Sequence, residues 1–222
     1  SNKRLRDPES SGKTSPKLNN LVGIFEEMPS SGCLPMLHYF TDQPQNLLVE
    51  LKEIFTKPLP TGGEALFPTN CYSVQINQEW PQPELVKGLK TALGKKLQIV
   101  LQLPAPALQE SPEKIAKRVG IYEIDYVLID PSGGTGQDLD LDQASQLLLA
   151  LDTLPHIQMG VAGGFSAENV EERIIKLHEK VRRPFCIDAQ GKLRDESGAL
   201  QVGKTFDYLR NASKALSKVN GF

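Results

Sequence analysis

What most constrains this chain is an alternation. Short apolar runs of strand length take turns with amphipathic stretches of helical length, from residue 21 to residue 219. The strand candidates are residues 21–25, 36–41, 72–77, 97–103, 126–130, 157–162 and 184–188. The helix candidates are residues 46–55, 83–93, 112–119, 141–151, 167–181 and 206–219. Leu141, Ala144, Leu148 and Leu151 fall at the spacing of one helical face, as do Val170, Ile174, Leu177 and Val181. Ser111 ahead of Pro112 reads as a helix start, a capping hydroxyl before a proline whose missing N–H is no loss there. Ser166 to Asn169 reads as a second such start. Strands separated by helices pair in parallel and are buried on both faces, so the fold class is α/β on a parallel sheet.

Two of the strands end in glycine-rich turns. One runs Asp130-Pro131-Ser132-Gly133-Gly134-Thr135-Gly136, the other Ala162-Gly163-Gly164-Phe165-Ser166. In parallel α/β folds the loops at the C-terminal ends of strands carry the chemistry. The first turn offers a carboxylate at a strand end. The second offers bare backbone N–H groups ahead of a helix, a natural seat for a phosphate. A doubly wound sheet usually places its phosphate loop after the first strand, whereas late phosphate loops are the TIM-barrel pattern. The expected architecture is therefore a TIM-type (β/α) barrel with about seven recognisable strands, the first strand missing or irregular. An open seam leaves strand edges unpaired, which predicts a covering loop or a contact between two copies in a homodimer.

At 222 residues the chain suits one barrel domain over residues 21–222. Residues 1–20 are polar and read as a disordered tail without the apolar core of a secretory signal. A net charge of −2 gives no electrostatic case for nucleic acid or an anionic membrane, and no run is long enough to span a bilayer. Cys33, Cys71 and Cys186 are odd in number and widely spaced, which argues against a disulfide framework and for a reducing, cytoplasmic setting. No cysteine pair or histidine spacing suggests a metal, and no cofactor is expected.

The residues of the second half resemble phosphoribosylanthranilate isomerase, a TIM-barrel family of tryptophan synthesis. That family carries a strand ending Leu-Leu-Asp, then Gly-Gly-Thr-Gly, and a helix later Leu-Ala-Gly-Gly-Leu-x-x-Glu-Asn-Val. Here stand Leu128-Ile129-Asp130, Gly133-Gly134-Thr135-Gly136 and Val161-Ala162-Gly163-Gly164-Phe165-Ser166-Ala167-Glu168-Asn169-Val170. Ile187-Asp188-Ala189-Gln190-Gly191 is a looser match to the family's Asp-Val-Ser-Ser-Gly, and Val202-Gly203-Lys204-Thr205 resembles its Gly-x-Lys-Asp. Upstream, Val74-Gln75-Ile76-Asn77 resembles Val-Gln-Leu-His. The family's opening Lys-Ile-Cys-Gly, whose cysteine is the general base, does not occur here. Set against the family's second strand, residues 21–25 lead to Glu26 and Glu27, where the family has an arginine for the anthranilate carboxylate.

The resemblance implies an isomerase that opens a ribose ring and moves a proton from C2, with an acid at the ring oxygen and a base at C2. Asp130 stands where the family's acid stands, and partial burial would raise its pKa toward donation; it could also simply cap its turn. Gly163 and Gly164 are expected to seat the phosphate, with Gly191 on its other side and Gly133, Gly134, Thr135 and Gly136 as a substrate loop. Cys33 is the candidate stand-in for the base. Loop 192–198 reads either as a lid or as a plain hairpin. His38 reads as a satisfied core or lumen residue on a strand, Cys71 and Cys186 as packing, Asp138, Asp140 and Asp142 as a solvated face with one helix cap, and Trp80 as a loop staple or mouth residue. The expected ligand is a small phosphorylated sugar. A diverged barrel that binds such a ligand without turnover is the alternative.

Overall fold

The computed structural model describes residues 18–27, 34–57, 71–132 and 138–220. Within them the strands are β1 (Leu37–Tyr39), β2 (Ser73–Asn77), β3 (Gln98–Pro104), β4 (Tyr126–Asp130), β5 (Gln158–Ala162) and β6 (Phe185–Asp188). The helices are α1 (Leu18–Glu27), α2 (Leu47–Thr56), α3 (Pro83–Leu93), α4 (Pro112–Val119), α5 (Leu141–Leu151), α6 (Val170–Lys180) and α7 (Val202–Asn220). The strands form one six-stranded sheet in chain order, a parallel sheet with alternating helices of the TIM type.

The apolar run expected as a first strand is helical. Residues 21–25 lie inside α1. A strand would place Leu21, Gly23 and Phe25 on one face. In the structure Phe25 is buried, Leu21 is half-buried, and Gly23 and Ile24 are exposed. That is the i, i+4 face of a helix and not an alternation. Glu26 and Glu27 thus do not follow a strand, and setting them against the family's arginine has no structural basis. The other six strand candidates and all six helix candidates appear within a few residues of their expected bounds.

The chain divides into two compact units. The first comprises the described residues of Ser1–Gln102 and Ile121–Tyr126. In it Leu37 pairs with Val74, and Ser73 through Asn77 pair with Gln98 through Gln102. Leu47, Leu51, Ile54 and Phe55 bury the inner face of α2, which packs on α3, where Val86 and Leu89 are buried. Asp125 knits this unit: it accepts the Ile99 N–H at 2.8 Å and pairs with Lys90 at 2.7 Å. A polar row lies on the strands. Gln102 Oε1 accepts from Gln75 Nε2 at 2.8 Å and sits 3.2 Å from His38 Nε2. His38 is therefore hydrogen-bonded, but it is exposed and not the core or lumen residue the sequence suggests. Trp80 takes a left-handed φ of 45° in the turn after β2, where the next residue's carbonyl, on Pro81, accepts the buried Tyr122 hydroxyl at 2.6 Å.

The second unit comprises Leu103–Gly120 and the described residues of Val127–Phe222. Here α4 packs on α5, α5 on α6, and α6 on α7. Their buried faces are the ones the sequence spacing marks: Ala144, Leu148 and Leu151 on α5, and Val170, Ile174 and Leu177 on α6. Strands β5 and β6 pair from Met159 with Phe185 to Ala162 with Asp188. Of the acidic trio, Asp140 caps α5 by accepting the N–H groups of Asp142 and Gln143, Asp142 pairs with Lys180, and Asp138 pairs with Arg173. Ser111 makes no side-chain cap, so Pro112 alone marks the start of α4.

Candidate functional site

The site lies in the second unit and is built from three strand ends. Strand β4 buries Val127, Leu128 and Ile129 and finishes on Asp130, itself only 5% exposed. Asp130 Oδ1 accepts the Ser132 N–H at 2.9 Å and the Ser132 hydroxyl at 2.7 Å. The side chain thus closes its own turn in the way Asp commonly does, and both residues still face a cleft of about 310 Å³ counted to its open mouth.

Strand β5 runs through buried Val161 and Ala162 into Gly163 and Gly164, with φ of 115° and 64°. Both values are costly for any residue with a Cβ. Helix α6 holds this turn in place. Arg173 Nη1 donates to the Gly163 carbonyl at 3.0 Å, and Asn169 Nδ2 donates to the Gly164 carbonyl at 2.8 Å. Asn169 Oδ1 takes the Ser166 N–H at 2.9 Å, so one amide side chain bridges the bend. The Arg173 guanidinium lies 5.5 Å over the buried Phe165 ring and reaches Asp138 at 3.0 Å. Both glycine carbonyls are taken by these two side chains, which fixes the two peptide planes. The helix proper begins at Val170, three residues later than its sequence start signal. The Ser166–Glu168 contact and the Glu168 backbone N–H hold the Glu168 carboxyl below its ordinary range.

Strand β6 ends on Asp188, and a short 3-10 turn over Gly191–Leu193 follows, anchored by buried Leu193. The register that sets Ala162 beside Asp188 brings this end next to the glycine turn. Beyond it the chain forms a hairpin with an antiparallel bridge between Arg194 and Leu200. Asp195 Oδ1 accepts from Ser197 N, Ser197 Oγ and Ala199 N, and Oδ2 accepts from Gln201. These bonds, the Ser197 hydroxyl first, hold its carboxyl low. Loop 192–198 is thus folded as a hairpin held by its own hydrogen bonds. Behind the site, burial and then the Asp188 charge push the Tyr208 phenol upward, so it stays protonated.

The cleft therefore gathers Asp130, Gly163, Gly164 and Gly191, four residues that sequence alone singles out. Cys33, Gly133, Gly134, Thr135 and Gly136 lie outside the described residues. Two further lining groups, Asp188 and Lys192, have no role on sequence grounds. Asp188 carries the same signal as Asp130, a carboxylate at the end of a strand. Lys192 carries none, since an isolated lysine in a polar loop looks like any surface cation. Cys71 belongs elsewhere; it is buried in the first unit, donates weakly to Pro35 O and Ser73 O, and burial pushes its thiol up to about 11.

Residues 74–192 match the family model of N-(5'phosphoribosyl)anthranilate (PRA) isomerase. The chain belongs to this family. The matched span runs from β2 to Lys192 and so contains every lining residue named above. N-(5'-phosphoribosyl)anthranilate isomerases of Pyrococcus furiosus and Pyrococcus abyssi are 34% and 30% identical over 124 and 152 residues. Those matches cover 54% and 67% of this chain, and 53% and 66% of the two relatives, so the chain spans between half and two thirds of the length of each. The solved structure of the Pyrococcus furiosus isomerase superposes with a TM-score of 0.59 at 21% identity, covering 93% of this chain and 85% of that one. The carboxyl transferase domain of Rhizobium etli pyruvate carboxylase superposes at 0.55 with 10% identity, covering 90% and 38%. At such identities these superpositions speak for the fold alone.

Proposed function

We propose that this chain is an isomerase of a phosphoribosyl compound and that N-(5'-phosphoribosyl)anthranilate is its substrate, in tryptophan synthesis in the cytoplasm. The observation that carries the reading is the convergence of Asp130, Gly163, Gly164 and Gly191 in one cleft, within the stretch matched to the family. The glycine turn and Gly191 seat the phosphate through backbone N–H groups, the Gly163 and Gly164 carbonyls being engaged by Arg173 and Asn169. Asp130 gives its proton to the ring oxygen as the ribose opens. A base then removes the C2 proton, and the enol formed settles to the ketone. Asp188 is the second carboxylate lining the cleft and takes that base role in this reading.

A second reading is that the same cleft binds such a ligand without turnover. One experiment separates the two. Purified protein is assayed for turnover of phosphoribosylanthranilate, and the gene is tested for rescue of a tryptophan auxotroph lacking the isomerase. Turnover and growth that both fail in Asp130→Asn support the enzyme. Ribose 5-phosphate binding with no turnover supports the binding protein. Neither binding nor turnover refutes both.

A further inference from the structure

The cleft presents an electrostatic problem that its glycines do not solve. Asp130 and Asp188 both line it. An incoming phosphate meets the Asp188 carboxylate, and a second negative charge develops once Asp130 has given up its proton, while backbone N–H groups carry only partial positive charge. Among the described residues one full cation lines the same cleft, Lys192. It is placed there by the 3-10 turn over Gly191–Leu193, whose Leu193 is buried and pins the turn. The other cations near the site are engaged. Arg173 holds the Gly163 carbonyl and Asp138, and Lys204 reaches the Arg194 carbonyl. Lys192 has no hydrogen-bond or ion-pair partner among the described residues, although Asp188 stands only four positions earlier on the same strand end.

We propose that Lys192 is the phosphate-charge partner of this cleft and makes the site selective for a phosphate monoester over a diester. The inference rests on the phosphate reading above. An ammonium beside the glycine turn, unpaired among the described residues, offsets the Asp188 carboxylate and gives the anion a point charge. A terminal monoester presents three free oxygens and nearly two negative charges at neutral pH, one set for the backbone donors and one for the ammonium. A diester has two free oxygens and a single charge, and gains less from Lys192 against the same carboxylates.

The test titrates the full chain with ribose 5-phosphate and with dimethyl phosphate, at low and at moderate salt. The variants are Lys192→Met and Lys192→Arg, each checked for native circular dichroism. The expected result is monoester binding that weakens about tenfold in Lys192→Met, loses part of its salt dependence there, and returns largely in Lys192→Arg. The wild type is expected to prefer the monoester by at least about tenfold, and Lys192→Met to narrow that gap. If ribose 5-phosphate binds the wild type and Lys192→Met alike, Lys192 is not the partner and the glycine seat stands alone. Equal affinity for the diester overturns the selectivity. If the wild type binds neither probe, the phosphate reading fails and this inference with it.

Discussion

Replacing Gly164 by alanine tests the site's scaffold at its tightest point. A Cβ built there overlaps Asp138 Oδ1 and falls 2.9 Å from Asp138 Cα. The carboxylate can swing away, since Asp138 is 66% exposed, but doing so gives up its pair with Arg173, worth about 0.5 kcal/mol for an exposed partner. The main chain of Asp138 has no such freedom. It must shift bodily, and overpacking of that kind costs about 1–3 kcal/mol. A φ of 64° adds roughly 1 kcal/mol for any residue with a Cβ. Gly164→Ala should therefore destabilise the protein by about 3 kcal/mol, read as a lower urea midpoint at unchanged slope. Combining it with Asp138→Gly removes the oxygen clash but leaves the crowding against the main chain of residue 138 and the φ cost, so most of the penalty should persist and the pair should couple by only about 0.5 kcal/mol, the Arg173 pair being lost once and not twice. A single variant as stable as wild type, within about 0.5 kcal/mol, would refute this account of the turn.

Other perturbations follow from the same geometry. Asn169→Ala strips the bridge between the Ser166 N–H and the Gly164 carbonyl and should cost about 1–3 kcal/mol in urea unfolding, with weaker ribose 5-phosphate binding; unchanged affinity would show that the bridge does not shape the seat. Asp130→Asn keeps an oxygen for Ser132 but loses the proton donor, so turnover should fall about 10²–10⁴-fold while ligand affinity holds. The Cys71 thiol, pushed up to about 11 from 9.0, leaves the folded chain holding a proton that the unfolded chain gives up earlier. Stability from this group is complete below about pH 9 and falls as pH rises toward 11, by about 2–3 kcal/mol. Cys71→Ala should flatten that alkaline decline in urea midpoints measured from about pH 8 to 10.5, and an identical decline in both proteins would count against a buried, protonated thiol.

The fold was legible because its signals are local. Periods of helix and strand length, with proline and glycine as punctuation, placed the strands of the sheet and the helices between them. The first apolar run failed for a physical reason. Five apolar-looking residues, 21–25, are too few to separate a period of two from one of 3.6, and Gly23 in the middle argues equally for a bend or for an exposed position. Burial decided it, and burial is a property of the neighbours. Helix starts were legible to within a turn: Asp140 caps α5 with its own side chain, whereas Ser111 leaves the work to Pro112.

The site divides along the same line. A glycine pair after a buried strand can be read as a turn that needs φ above zero, because that requirement sits in the residue itself. What makes Gly164 irreplaceable is Asp138, a residue from another loop that fills the space where a Cβ would stand. The fixing of the turn likewise comes from Arg173 and Asn169 at the following helix, where an arginine and an asparagine ordinarily read as solvated surface and cap. Lys192 is the extreme case. Its distinction is the lack, among the described residues, of a partner in a cleft lined by Asp130 and Asp188, and that leaves no mark in a sequence. The charge balance of an anion seat is set by groups from separate strand ends. Motifs therefore mark the glycine turn, and only the folded arrangement shows that Lys192 shares its cleft.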